Sequence, residues 1–168
     1  MSATLIVGAL LAEVVPLLKM VHKPVPINHR LIRGTILGQP IFILRSGVGT
    51  RRAFEHTSTV IRQCSPARIL SVGTCGALAD HLNIGDVCTS ELLCNEKQEN
   101  ALIQAIPDIT VERLITVESV VASVERRQIC AVKADICDME AFGVWKAAGS
   151  IPFHTVKVVS DHAEKILL

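Results

Sequence analysis

Short apolar runs alternate with helical patterns along the chain. The runs TLIVGA (residues 4–9), ARILSVG (67–73) and FHTVKVV (153–159) each have the length of a buried strand. Strands that are apolar on both faces are typical of parallel sheets covered by helices on each side. The alternation therefore predicts an α/β fold, in which a mostly parallel, mixed and twisted sheet is flanked by helices on both faces.

Capping residues, glycines and prolines mark the ends of the predicted elements. Thr50 has the residue type and position of a helix N-cap. The glycine-rich segment GTCGAL (73–78) is interpreted as a turn, and LGQ (37–39) as the turn of a hairpin. Helices are predicted over 10–20, 50–64, 96–106, 123–132 and 140–148.

The chain is rich in apolar residues. Its 168 residues are 49% hydrophobic, and the mean hydropathy is +0.43. A deeply buried parallel sheet and an oligomer interface are both consistent with this excess. No linker, repeat or low-complexity stretch divides the sequence, so we predict a single domain over residues 1–168.

Charge and composition argue against two classes of partner. The net charge is +1, aromatic residues make up 3% of the chain, and tyrosine is absent. Nucleic-acid binding requires clustered cations or stacking rings, so no nucleic-acid partner is expected. Glu13 interrupts the apolar N-terminal run, and no stretch reaches the length of a membrane span, so neither a signal peptide nor a membrane span is expected.

The cysteines and histidines lack metal-binding spacing. The six cysteines form no CxxC pair, and none of the six histidines has the spacing of a zinc site. The cysteines are interpreted as small core residues in a reducing compartment. These patterns predict a cytoplasmic protein without a bound metal.

Acidic residues follow several predicted strands. Glu13, Glu140 and Asp161 lie where ligands bind in open α/β sheets, outside the carboxyl ends of the strands. Each acid also has a structural explanation: Glu13 and Glu140 suit the first turn of a helix, and Asp161 suits an N-cap before a helix beginning at His162. SGVGT (46–50) fits neither a dinucleotide fingerprint nor a Walker A loop.

Taken together, these segments resemble a known family. SGVGTRRA (46–53), GTCGALADHLNIGDV (73–87), DMEAFGV (138–144) and IPFHTVKVVSDHA (151–163) occur in the order and spacing of the nucleoside phosphorylase/nucleosidase superfamily. The likeness is strongest to methylthioadenosine/S-adenosylhomocysteine nucleosidases. ADICDMEA (134–141) also looks similar to hopanoid-associated nucleoside phosphorylases. The resemblance implies a three-layer sandwich, a purine-nucleoside substrate and a homo-oligomer, a dimer or larger.

The resemblance also implies a role for individual residues. Asp161 would donate a proton to the departing base, which requires burial to raise its pKa. Glu140 would remain ionised and bind the ribose hydroxyls, while Glu13 would orient and deprotonate the attacking water. The other residues implied to contact or support the substrate are Met139 at the sugar, Ser160, Thr74, Cys75 and Gly76 around the acid and the base, and Leu10 and Val48 near the 5′ substituent.

The type of reaction stays open between three alternatives. Ser71 stands where phosphorylase relatives often have an arginine, and Glu13 would repel a phosphate dianion, so hydrolysis is favoured. A phosphorylase that uses phosphate as co-substrate would need another cation, such as Arg45, Arg51 or Arg52. The short segment 91–116, which helps to form the pocket in the nucleosidases, leaves nucleoside binding without turnover, or a structural subunit, as a third alternative. The ring-free ESVVAS (118–123) weakens the case for adenine as the base. No cofactor is expected in any case.

Overall fold

The computed structural model describes residues 3–162 of the chain. Within this range the polypeptide forms twelve strands and four helices. In chain order these are β1 (Thr4–Gly8), α1 (Leu11–Leu18), β2 (His22–Pro26), β3 (Leu31–Ile36), β4 (Gln39–Arg45), α2 (Thr50–Cys64), β5 (Arg68–Ala77), β6 (Val87–Thr89), β7 (Leu92–Asn95), β8 (Asn100–Leu102), β9 (Thr110–Val111), β10 (Leu114–Thr116), α3 (Val124–Ala131), β11 (Ile136–Asp138), α4 (Ala141–Ala148) and β12 (Phe153–His162).

All twelve strands belong to one mixed sheet, built around β5. Its main path runs β2-β3-β4-β1-β5-β11-β10-β7-β8, and β12 pairs with β5 and β6. The strands β4, β1, β5 and β12 run parallel to one another. Along one edge of β5 lies β12, and along the other lie first β1 and then the antiparallel β11. The predicted mixed α/β sheet is confirmed.

Alternating side chains of β1 show that helices cover both faces of the sheet. Leu5 belongs to the same buried cluster as Val60 of α2 and Phe142 of α4. Ile6, which points to the opposite face, packs with Val14 of α1. Because one strand is buried on both sides, the continuous apolar run in its sequence is accounted for. No helix within residues 3–162 combines the length and the apolar character needed to cross a membrane.

Helices α2 and α4 meet at a very close approach that requires glycine. A Cβ atom at Gly143 would overlap the Thr50 carbonyl oxygen and lie 3.0 Å from the Thr50 carbonyl carbon. Backbone atoms cannot move aside as a flexible side chain can. This contact fixes the N-terminus of α2 against α4. Val48, shortly before α2, and Glu140, immediately before α4, line the cavity described below.

Gly143→Ala is therefore expected to destabilise the fold. Alanine has the better helix propensity, but the overlap with Thr50 should lower the free energy of unfolding by about 1–3 kcal/mol. Urea denaturation measures this change. Gln63→Ala, an exposed position near the end of α2, is the control and should change stability by less than about 0.5 kcal/mol. A Gly143→Ala variant more stable than the wild type would contradict this prediction, because it would show that α2 and α4 can move apart without an energetic cost.

The predicted helix over 96–106 is wrong. Residues Asn100–Leu102 form β8, which pairs antiparallel with β7. The turn between them is closed by Gln98, whose φ is +65°, and by hydrogen bonds from Gln98 N to Asn95 O and between the side chains of Asn95 and Glu99. The sequence ENALIQA contains good helix formers, but pairing with the neighbouring strand outweighs this weak local preference.

Other boundaries also differ from the prediction. The glycine-rich segment at 73–78 is not a turn, because residues up to Ala77 continue β5. Gly49, not Thr50, is the N-cap of α2. The explanation of Asp161 as an N-cap is wrong too, since Asp161 and His162 both lie in β12. The predicted hairpin at 37–39, between β3 and β4, is confirmed.

Candidate active site

A cavity of about 230 Å³ opens where several strands end. It is bordered by residues that follow β1 and by residues at or just after the carboxyl-terminal ends of β5, β11 and β12. Its walls are formed by Ala9, Leu10, Glu13, Val48, Thr74, Cys75, Gly76, Val117, Val120, Val121, Cys137, Met139, Glu140, Ser160 and Asp161. All ten residues that the sequence nominated for substrate binding or catalysis are among them. The structure therefore brings the nominated side chains together, whereas their chemical roles stay predictions.

Glu13 is held in place by four hydrogen bonds. Its Oε2 accepts from the backbone N–H groups of Ala9 and Leu10, both at 2.9 Å. Its Oε1 accepts from the Thr74 backbone N–H at 2.9 Å and from the Thr74 hydroxyl at 3.1 Å. One carboxylate thus stabilises the N-terminus of α1, as the structural explanation required, and also joins α1 to β5.

Gly73 makes room for this carboxylate. A Cβ atom at Gly73 would lie 2.6 Å from the Glu13 Oε1 atom, closer than atoms can pack. The glycine in the middle of β5 is thus explained by the approach of an acidic side chain rather than by a turn.

Glu140 accepts a hydrogen bond from the N-terminus of α2. The Gly49 backbone N–H donates to Glu140 Oε1 at 2.9 Å, and the Thr50 hydroxyl donates to the Met139 carbonyl at 3.1 Å. Burial raises the pKa of Glu140 to about 6, the negative charge of Asp138 adds to this rise, and the Gly49 N–H opposes it. Glu140 is therefore largely ionised at neutral pH and begins to take up a proton in mildly acidic solution.

A β-bulge brings Ser160 and Asp161 to the same cavity. The pairing of β12 with β5 shifts register between Val159 and Asp161. Successive residues of a regular strand point to opposite faces, but a bulge can turn both towards one side. Both Ser160 and Asp161 line the cavity as a result.

Ser160 connects the Asp161 carboxyl group to the backbone of β5. Its Oγ lies 2.6 Å from Asp161 Oδ1 and 3.2 Å from the Cys75 carbonyl oxygen. A hydroxyl has one proton, so it can donate to only one of these acceptors at a time. It can donate to an ionised Asp161, or accept from a protonated Asp161 while it donates to Cys75. The arrangement can therefore accommodate Asp161 in either protonation state.

A buried ion pair, one member of which lies between the lining residues Cys137 and Met139, was missed by the sequence reasoning. Lys157 Nζ is 2.7 Å from Asp138 Oδ2, and the two side chains are 2% and 0% exposed. The second oxygen of Asp138 accepts from the Thr116 hydroxyl at 2.7 Å, and Oδ2 also accepts from the Ala141 N–H at 3.0 Å. The available signal was a lysine in the middle of the apolar run TVKVV.

The family model of the phosphorylase superfamily matches residues 4–108. The chain belongs to the phosphorylase superfamily. The resemblance inferred from the motifs is thereby confirmed. Among curated relatives, a 5′-methylthioadenosine/S-adenosylhomocysteine nucleosidase of Shewanella pealeana is 32% identical in sequence to this chain over 88 residues. The aligned part is 51% of this chain and 38% of that protein. The match thus covers less than half of that relative's length.

Solved structures share the fold of this superfamily member at low sequence identity. An adenine-bound 5′-methylthioadenosine/S-adenosylhomocysteine nucleosidase of Colwellia psychrerythraea has a TM-score of 0.88 and 16% identity, covering 98% of this chain and 84% of that one. A futalosine hydrolase mutant of Helicobacter pylori has a TM-score of 0.86 and 17% identity, covering 98% and 87%. These likenesses establish the fold.

The part of the cavity wall that the sequence did not nominate is apolar. Val117, Val120 and Val121 contribute branched side chains, and Cys137 contributes a thiol. Burial raises the pKa of the Cys137 thiol to about 12, so it is neutral and behaves as a small apolar group. No aromatic ring is among the lining residues of the described chain, in agreement with the ring-free ESVVAS segment. Val120 and Val121 belong to that segment, and Val117 directly precedes it.

The arginines considered for phosphate binding lie outside the cavity wall. Arg51 forms an ion pair with Glu55 on the exposed surface of α2. Arg45 donates to the His29 carbonyl oxygen at 3.4 Å. Neither of them, nor Arg52, lines the cavity formed by the described residues. Within residues 3–162, no group of three acidic, histidine or cysteine side chains is arranged to bind a metal ion.

Proposed function

We propose that this superfamily member is an N-ribosyl hydrolase that cleaves the glycosidic bond of a purine-type nucleoside with a modified 5′ group. The observation that carries the proposal is the presence of Glu13, Glu140 and Asp161 in the wall of one cavity. Hydrolysis of a glycosidic bond through a cationic sugar needs a proton donor for the leaving group, an anion that stabilises the sugar and a base for water. Three separately anchored acids supply these three roles.

Glu140 is the residue proposed to bind the ribose. Its Oε1 accepts from Gly49, so the carboxylate orientation is fixed before a ligand arrives. An ionised carboxylate forms charge-assisted hydrogen bonds with two sugar hydroxyls. These bonds strengthen as positive charge develops on the ring, so they contribute more to the transition state than to the bound substrate. Met139 would pack against the sugar on the same side.

Asp161 and Glu13 are the residues proposed to move protons. Asp161 would donate a proton to the departing base, and Ser160 would orient its carboxyl group. Glu13 would accept a proton from the attacking water. Because Glu13 already accepts four hydrogen bonds, the water would have to displace the longest of them, from the Thr74 hydroxyl at 3.1 Å.

The charge of the cavity favours water over phosphate as the nucleophile. Three acids line it, and among the described residues no arginine does. A phosphate dianion would be repelled by these carboxylates, whereas a water molecule would not. The neutral wall formed by Val117, Val121 and Cys137 suits the apolar face of a base, and Leu10 and Val48 suit a hydrophobic 5′ group.

The relatives support the substrate class. The Shewanella protein is named a 5′-methylthioadenosine/S-adenosylhomocysteine nucleosidase, and the Colwellia structure contains adenine. We accordingly propose a purine nucleoside as the substrate. The proposal also includes catalysis without a cofactor, assembly into a homo-oligomer and residence in the cytoplasm.

The reaction is tested by incubating the protein with 5′-methylthioadenosine, S-adenosylhomocysteine, adenosine and inosine, each with and without phosphate. Chromatography then quantifies the free base and the sugar product. We expect base and free ribose derivative to form without phosphate. Strict phosphate dependence with a ribose 1-phosphate product would identify a phosphorylase instead. Calorimetric binding without any base release would identify a nucleoside-binding protein.

A further inference from the structure

Lys157 is a buried cation that the proposed reaction does not yet use. It lies in the middle of β12 and is 2% exposed, with its Nζ 2.7 Å from Asp138 Oδ2 and 3.4 Å from Ser71 Oγ. Removing two charges from water is costly, and a buried ion pair often stabilises a fold no more than apolar residues would. Stability alone therefore does not explain why an apolar strand contains this lysine.

Asp138 is fully bonded and adjoins the proposed sugar-binding residue. The Thr116 hydroxyl binds one carboxylate oxygen, while Lys157 and the Ala141 N–H bind the other. Two residues further along the chain, Glu140 enters the cavity. The Lys157–Asp138 pair thus places two fixed charges next to the chain segment that carries Glu140, and both charges act on Glu140.

Glu140 faces charges from several elements. The charged groups in its surroundings are Asp138 on β11, Lys157 and Asp161 on β12, and Glu13 on α1, together with the backbone N–H of Gly49 at the start of α2. The thiols of Cys75 and Cys137 also line the cavity, and burial keeps both of them neutral by raising their pKa values. Negative charges predominate, and Lys157 opposes them.

Lys157 is protonated in this setting. Burial alone would lower its pKa, but the charges of Asp138, Glu140 and Glu13 outweigh burial and raise the pKa above its ordinary value. The ammonium group therefore retains its charge throughout the pH range in which Glu140 titrates.

We propose that Lys157 is a positioning residue whose charge keeps Glu140 in the ionised form that binds the ribose. This inference rests on the proposed function. Asp138 fixes the ammonium group in position, but its own negative charge acts on Glu140 in the opposite sense. The two members of the ion pair therefore have opposite effects on the ionisation of Glu140, although each contributes to the same structural contact.

This opposition gives a test that does not depend on turnover. In the 18.2 kDa chain labelled with ¹³C-glutamate, carboxyl NMR follows the titration of Glu140, whose signal is identified by its loss in Glu140→Gln. We expect the titration midpoint to rise by about 1 pH unit in Lys157→Met and to fall by about 1 pH unit in Asp138→Asn. The double variant should titrate within about 0.5 pH unit of the wild type, because both charges are removed.

A purely structural role predicts a different pattern. Both single variants would lose thermal stability while the midpoint of Glu140 stayed unchanged, and this result would overturn the proposal. If Lys157→Met does not fold, Asp138→Asn and the double variant suffice, since removing Lys157 from the Asp138→Asn background must raise the midpoint. Failure to release any base would contradict the proposed function and leave these midpoints as expected, so the two failures are distinguishable.

Discussion

Asp161→Asn is expected to lower the rate of base release by about 10²–10⁴-fold, the usual contribution of a general acid. Asparagine has nearly the same shape and can still accept a hydrogen bond from Ser160, which lies 2.6 Å from the carboxylate oxygen. It has no acidic proton to transfer to the departing base. The loss should therefore appear in kcat, with little change in nucleoside binding.

Steady-state kinetics with the nucleoside that the wild type cleaves measure this effect, and circular dichroism verifies that the variant folds. Asp108→Asn is the matched control, because Asp108 is exposed and lies outside the cavity. Its φ of +64° is one that asparagine also adopts readily. Full activity in Asp161→Asn would show that Asp161 does not donate the proton to the departing base.

Glu140→Gln is expected to lower kcat/KM by about 100-fold, because charge-assisted hydrogen bonds to the ribose become neutral ones. The wild-type activity should also decline below a pH of about 6, where Glu140, with its raised pKa, becomes protonated. The acid limb of the pH–rate profile is the range in which activity falls as the pH is lowered. Because the pKa of the Glu140 carboxyl group is raised, this limb shifts to higher pH, and the loss of activity begins in mildly acidic solution. In Glu140→Gln this limb should disappear, since glutamine does not titrate.

A pH–rate profile from pH 4.5 to 8 tests both parts of this prediction. Glu125→Gln in the first turn of α3 is the control, because this exposed residue is not part of the cavity wall. Its profile should match that of the wild type. A Glu140→Gln variant that kept the acid limb would assign the limb to another group.

The location of the site could be predicted from the sequence for part of its wall. Strands β1, β5 and β12 run parallel, so their carboxyl ends meet at one edge, and Glu13 after β1 converges with Asp161 near the end of β12. Glu140 follows β11, which is antiparallel to β5, so that rule does not account for its approach to the same cavity. The identity of the lining residues came from the family motifs. All ten nominated residues line the cavity, and their roles stay predictions.

Features that depend on contacts between distant segments could not be predicted. Lys157 and Asp138 lie on β12 and β11, which pair with opposite edges of β5. The sequence around either residue does not indicate its partner. The segment 96–106, which contains the hairpin turn and β8, is predicted as a helix because its local sequence favours helix, whereas pairing with β7 decides the outcome.

Strand β2 was missed for a different reason. Pro24 and Pro26 indicate the end of a helix, but an edge strand tolerates proline where no hydrogen bond is required. The glycines of β5 were misread in a similar way, since Gly73 is required by the approach of Glu13 and not by a change of chain direction.

The most direct test of the proposed site is a crystal structure of the Asp161→Asn variant with 5′-methylthioadenosine. We expect two ribose hydroxyls within about 3.2 Å of the Glu140 carboxylate, the base beside residue 161, and a water molecule near Glu13 on the opposite face of the sugar. A nucleoside bound outside this cavity, or one whose sugar does not contact Glu140, would contradict the proposed roles of these acids.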